Sequence, residues 1–151
     1  KVTIKQPKKV KQRRILDHDE IDWLLEASIS YPQWISGSIS TIVRLGLYAG
    51  LRNQEMLWLR WDAIDWDQRI LNIGQSQCEA TGEIWIPKDH EMRRLDVKEA
   101  LIEHLREERR RQKNTDLLGP FVMPAIGAAD LPGRPPHRLW LRAKLMAGIP
   151  T

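Results

Sequence analysis

The stretch Tyr48–Trp66, YAGLRNQEMLWLRWDAIDW, decides how the rest of the chain is read. It sets Arg52 and Glu55 three residues apart between an apolar run and a tryptophan-rich one. An isolated Arg-x-x-Glu pair is most often a solvated ion pair worth little. This pair is bracketed by Gly50, Leu51, Leu59, Trp61, Ile64 and Asp65, so its context carries the information. Upstream, ISTIVRLGLYAG places Ile39, Ile42, Val43, Leu45 and Leu47 at helical spacing and stops at a glycine, which predicts a buried helix ending near Gly50. Asn53 is the expected cap of the next helix, whose inner face would hold Met56, Leu57 and Leu59 beside Trp58 and Trp61.

Further upstream, LDHDEIDWLLEAS has Asp17 and Glu20 in capping-box spacing before Ile21, Leu24, Leu25 and Ser28, which predicts a first helix interrupted by Pro32 and Gly37. Downstream the period changes. QRILNIG, GEIWIPK and RRLDV are short β-rich runs and suggest a three-stranded antiparallel sheet. KEALIEHLREERRRQK returns to helix with Leu101, Ile102 and Leu105 inward and a Glu107–Arg111 pair. The Pro- and Gly-rich TDLLGPFVMPAIGAADLPGRPP reads as loop with an extended piece at 118–123, before a last helix at 137–146. The expected fold class is mixed α+β, mainly helical with one small antiparallel sheet.

The charge is unevenly spread. Net charge is +4, but residues 1–14 hold seven Lys or Arg and no acid, leaving 17 basic against 20 acidic residues in the remainder. Lys8, Lys9, Lys11, Arg13 and Arg14 form the densest part of this run, which reads as a flexible cationic arm attracting phosphate backbones without sequence preference. Residues 15–151 would form the folded domain. No run of about 18 apolar residues is present, so no membrane span is expected. The single cysteine, Cys78, excludes an intramolecular disulfide and a multi-cysteine zinc site and suits a reducing cytoplasm. Trp58 and Trp61 are expected in the core, whereas Trp85 alternates with Ile84 and Ile86 and is expected on an outer sheet face.

With these elements placed, the box from Gly50 to Asp65 resembles the first signature of the tyrosine recombinases, the phage integrase family. The resemblance continues in order through Lys88 and Arg93 in IWIPKDHEMRRLDV, the leucine-patterned ALIEHLREERR, the extended GPFVMP and the closing LRAKLMAGIP. It implies a partial DNA breaking-rejoining domain acting in site-specific recombination or integration of a mobile element, in the bacterial cytosol or nucleoid. It implies that Arg52 clamps the scissile phosphate, because a planar guanidinium holds two phosphate oxygens and keeps its charge. Lys88, on a hairpin, is implied as general acid for the departing 5′ oxygen. Glu55 supports Arg52, and Arg93 contacts the DNA backbone or braces the structure. Neither cofactor nor metal is expected. Double-stranded DNA is the implied partner, with a homotetramer on two duplexes in the intact family.

The family's His-x-x-Arg box and nucleophilic tyrosine have no counterpart here. His90–Arg93 spells His-x-x-Arg but stands too early, and Tyr31 and Tyr48 both precede the arginine box. Without a nucleophile the chain is expected to bind a phosphate and form no covalent DNA intermediate. The alternatives are a non-catalytic DNA-binding remnant or regulatory module, and a fragment of type IB topoisomerase character.

Overall fold

The computed structural model describes residues 15–29, 33–125, 128–133 and 148. The basic residues 1–14, including Lys8, Lys9, Lys11, Arg13 and Arg14, and the expected helix at 137–146 lie outside the described residues.

Helix α1 spans His18–Ile29. Its start is a reciprocal capping box: Glu20 N–H donates to Asp17 Oδ1 at 2.9 Å, and Asp17 N–H donates to Glu20 Oε2 at 3.1 Å. Leu24, Ala27 and Ser28 turn inward, while Ile21 and Leu25 are only half buried. Helix α2 spans Gln33–Ala49 and so runs straight through Gly37, where the sequence suggested a break. Gly37 and Gly46 both lie within this 17-residue helix, and each costs only about 1 kcal/mol. The buried stripe of Ile39, Val43 and Leu45 outweighs that. Gly50, at φ 61°, ends α2 in the left-handed conformation that a glycine adopts without strain, and its N–H donates to Gly46 O at 3.1 Å.

The next helix, α3, covers only Asn53–Leu57, and Arg52 rather than Asn53 occupies its N-cap position. Leu59 therefore leaves the helix and pairs as extended chain, its carbonyl accepting from Val122 N–H at 2.9 Å. A 3-10 turn at Trp61–Ala63 leads into β1, Ile64–Asp65. Strands β2 (Ile70–Ile73) and β5 (Arg93–Asp96) complete a three-stranded antiparallel sheet in the order β1-β2-β5. Strand β3 (Ser76–Gln77) pairs separately with β4 (Ile84–Trp85), so GEIWIPK does not join the first sheet as the sequence suggested. The reason is local. Gly82, at φ 74°, and hydrogen bonds from Cys78 N–H to Glu83 O and from Gly82 N–H to Cys78 O close a tight connection that holds β4 on β3. Strand β5 instead takes the open edge of β2, setting Leu95 opposite the buried Leu71.

Helix α4, Glu99–Asn114, lays Leu101, Ile102 and Leu105 fully into the core. Its short-range ion pairs are Glu107–Arg110 and Glu108–Arg111, three residues apart, in place of the expected Glu107–Arg111. Glu108 is buried and also accepts from Gln112 Nε2, which in turn donates to Val122 O, both at 2.9 Å. Within the expected extended piece at 118–123, Phe121 bridges Arg60 and Trp61 N–H donates to Pro120 O at 3.0 Å, but the following stretch, read as loop, pairs with itself as strands because its backbone groups find partners across a short connection. These strands, β6 (Pro124–Ala125) and β7 (Ala128–Pro132), form a short ribbon. Trp58 and Trp61 are buried as expected, whereas Trp85 stacks on Trp58 at 6.4 Å and is partly covered. Cys78 is a buried free thiol.

Between α2 and α4, the fully buried Thr41 hydroxyl meets His104 Nε2 at 2.9 Å. Burial, with the Arg44 charge nearby, pushes the His104 imidazole down to about 4. A folded value below the unfolded one means the unfolded chain binds the extra proton between roughly pH 6.5 and 4. Stability is therefore complete above that window and falls as the pH drops through it, by up to about 3 kcal/mol. Urea midpoints followed from pH 7.5 downward check this. His104→Gln should flatten the decline across that window.

Candidate phosphate-binding site

The site begins with backbone capping. Arg52, at φ −69° and ψ 154°, turns the chain into α3, and Glu55 Oε2 accepts its N–H at 2.7 Å. That bond satisfies one of the amides a helix start leaves open. Glu55 is 2% exposed, and a carboxylate so buried needs a positive partner. Arg93 supplies it: Nη2 donates to Glu55 Oε1 at 2.6 Å. The β2–β5 register makes this contact, since Arg93 opens β5 opposite Ile73. Glu55 thus ties the start of α3 to the edge of the sheet, 38 residues further along. The Arg52 guanidinium lies 3.9 Å from Glu55 Oε1, so Glu55 acts on Arg52 chiefly through the backbone.

That guanidinium points outward, with a side-chain exposure of 54%, and its Nη1 donates to Asp89 Oδ2 at 2.6 Å. Nothing in the sequence pattern points to Asp89, beyond an acid standing directly after Lys88. The hydrogen bond from Arg52 holds the Asp89 carboxyl below the usual carboxylate range, and the charges of Lys88 and Arg93 act in the same direction. Pro87–His90 is a tight turn closed by His90 N–H donating to Pro87 O at 2.9 Å, with His90 at φ 53°. Lys88 is exposed within it. Because β4 and β5 belong to different sheets, this turn is a crossover between sheets and not the tip of a hairpin. His90 is likewise an exposed turn residue, so the His90–Arg93 run has no helix to open.

Arg52, Glu55, Asp89 and Arg93 therefore form one connected set, with Lys88 beside Asp89. A neighbouring cleft of about 310 Å³ shares Glu55 with this set and is otherwise lined by residues such as Trp58, Arg60, Asn72, Ser76 and Trp85. Arg60 crosses its rim, binding Asp62, the Gln77 carbonyl and Glu79 with its guanidinium 5.7 Å from the Phe121 ring centre. Arg60 is thus fully engaged, while Arg52 spends its outward face on one exposed carboxylate. Among the described residues no group of three or more His, Cys, Asp or Glu side chains is arranged to hold a metal, and no helix is long and apolar enough to cross a membrane.

No family model matches the chain, and no curated protein sequence does. Solved structures do. The XerA recombinase superposes with a TM-score of 0.71 at 18% identity over 99% of this chain and 47% of its own. The Tn1549 transposon integrase, solved in complex with transposon right end DNA, superposes with a TM-score of 0.64 at 15% identity over 82% of this chain and 41% of its own. The chain thus spans less than half the length of either protein. At these identities the likeness is one of architecture, and on that ground the chain has the tyrosine recombinase/integrase fold.

Proposed function

We propose that residues 15–151 are part of the catalytic domain of a DNA strand-cleaving recombinase, with residues 1–14 as a basic arm on the DNA backbone. The observation that carries this reading is the state of Arg52. Its backbone is fixed by a buried carboxylate, while its guanidinium faces solvent with a carboxylate where a phosphate would sit. Preorganised donors of this kind stabilise charge that develops on nonbridging oxygens during phosphoryl transfer. Arg52 is the clamp and Lys88 the general acid. Glu55 positions Arg52 and Arg93. Asp89 holds the clamp in a charged, extended arrangement and yields to the substrate phosphate, because a pair this exposed is bound only weakly.

In this reading the tyrosine nucleophile is supplied by sequence other than these 151 residues, since Tyr31 and Tyr48 precede the clamp. The chain by itself holds duplex DNA without cutting it. Its binding is salt-sensitive and nearly indifferent to sequence. Fluorescence anisotropy with a labelled duplex tests this. Asp89→Ala, which removes a competing anion from the clamp, should tighten binding by roughly threefold to tenfold, and Arg52→Ala should weaken it. Unchanged affinity in both variants would sink the assignment of Arg52. Deleting residues 1–14 should lower both affinity and its salt slope. For strand cleavage the test is a longer chain that includes the tyrosine, given a suicide duplex: Arg52→Ala should cut formation of the covalent complex by about 100-fold or more.

A further inference from the structure

Two exposed helical faces on this chain, one on α1 and one on α4, complement each other in charge. On α1, Asp19, Asp22, Trp23 and Glu26 recur at the i, i+3, i+4, i+7 spacing of one face and are all exposed, opposite the buried Leu24, Ala27 and Ser28. Trp23, 51% exposed, stands at the centre of that acidic stripe. The helix contains no Lys or Arg. On α4, Arg106, Arg109, Arg110 and Lys113 recur at the same spacing and are also exposed. Each stripe runs about 10 Å along its helix axis. Beside the cationic stripe lies a groove of about 590 Å³ walled by Trp66, Leu118 and the arginine stems. Arg109 there lies 5.8 Å from the Trp66 ring centre and 6.0 Å from that of Trp61. The groove offers an apolar slot and aromatic faces flanked by positive charge.

We propose that α1 of one copy docks on the α4 groove of a second copy, with Trp23 seated between Trp66 and Leu118 and its flanking acids against Arg106, Arg109, Arg110 and Lys113. A buried aromatic anchor ringed by charge is the usual energetic centre of such a contact. The cations are available to it. Arg110 is held by the exposed Glu107 and Arg106 by Glu99, pairs that exchange readily, and Arg109 meets ring faces. A nucleic-acid backbone suits the groove less well, because a row of phosphates brings nothing apolar to fill the slot beside Trp66 and Leu118, whereas Trp23 does. The contact joins two different faces of the same chain, so it is heterologous and builds a ring or a head-to-tail series. It is independent of the Arg52 site and of the DNA-binding reading.

Sedimentation equilibrium of the full chain without DNA tests it, from roughly 10 to 500 µM. Average mass should rise with concentration at about 0.05 M salt and fall back at about 0.5 M. Trp23→Ala should abolish the rise, as should Asp19→Lys with Asp22→Lys, or Arg109→Glu with Arg110→Glu, each variant keeping the wild-type circular dichroism. The decisive arm mixes the two charge-reversed chains: each is monomeric alone, and the mixture should associate, because reversed α1 faces reversed α4. A wild-type chain that stays monomeric overturns the proposal. So does association that needs Asp19 and Asp22 but not Arg109 and Arg110, which would put the basic N-terminal residues on α1 instead. Reversal of Arg109 and Arg110 that weakens duplex binding and leaves association unchanged would assign the α4 face to DNA and likewise overturn it.

Discussion

Phe121→Ala is expected to destabilise the fold by roughly 3–5 kcal/mol, the range for emptying a large aromatic site in a core. The ring is fully buried, packs edge-on against Trp58 with centroids 5.8 Å apart, and lies beneath the Arg60 guanidinium at 5.7 Å. Its backbone bridges Arg60, and its neighbours Pro120 and Val122 exchange hydrogen bonds with Trp61 and Leu59. The cavity would open between the segment after α3 and the segment after α4, two parts of the chain about sixty residues apart that meet through this contact. Collapse into the gap is blocked, because the bridging strands are held by backbone bonds on both sides. Urea unfolding followed by tryptophan fluorescence measures the loss. Phe121→Leu should recover more than half of it, and equal loss in both variants would mean that ring stacking, not filled volume, accounts for most of the stabilisation.

Glu55→Ala is expected to have the next largest effect, about 2–4 kcal/mol, and to act on the site as well as on stability. Three consequences add. The Arg52 amide loses its acceptor, Arg93 loses its counter-charge, and a buried space opens. Because Arg93 is partly exposed, water can take up some of its charge, which keeps the loss below that of a fully buried pair. Glu55→Gln separates the contributions. Its amide oxygen can still accept from Arg52 N–H while the charge pairing with Arg93 is gone, so it should cost about half as much. Under the proposed function, Glu55→Ala should weaken duplex binding more than Glu55→Gln does, since the glutamine still accepts from Arg52 N–H and fixes its backbone. Chemical denaturation and anisotropy on the same samples read the two effects independently. Wild-type DNA affinity in a folded Glu55→Ala chain would reduce Glu55 to a purely structural cap.

Much of this was legible in local pattern. The capping box at Asp17 and Glu20 formed because its partners are three residues apart and need nothing from the rest of the chain. Leu101, Ile102 and Leu105 went inward because a 3.6-residue period leaves an amphipathic helix one face to bury. Helix α2 runs through Gly37 because a glycine's modest helix penalty is outweighed by the packing of a long apolar stripe. Strand membership failed for a related reason: three short β-rich runs say nothing about which edges they pair with, and the tight turn at Gly82 gave β4 to β3.

Local sequence was enough to read helices α1, α2 and α4, the burial of Trp58 and Trp61 and the Arg52–Glu55 spacing, because each depends on neighbours within one or two helical turns; strands β3, β6 and β7 fell in stretches that read as turn or loop. Tertiary structure alone decided what that box is made of. Glu55 finds Arg93 through a strand register, and Arg52 finds Asp89 through a crossover between two sheets. Contacts across nearly forty residues carry no periodic signature. They exist because a buried carboxylate must meet a cation and because the sheet edge brings one to it.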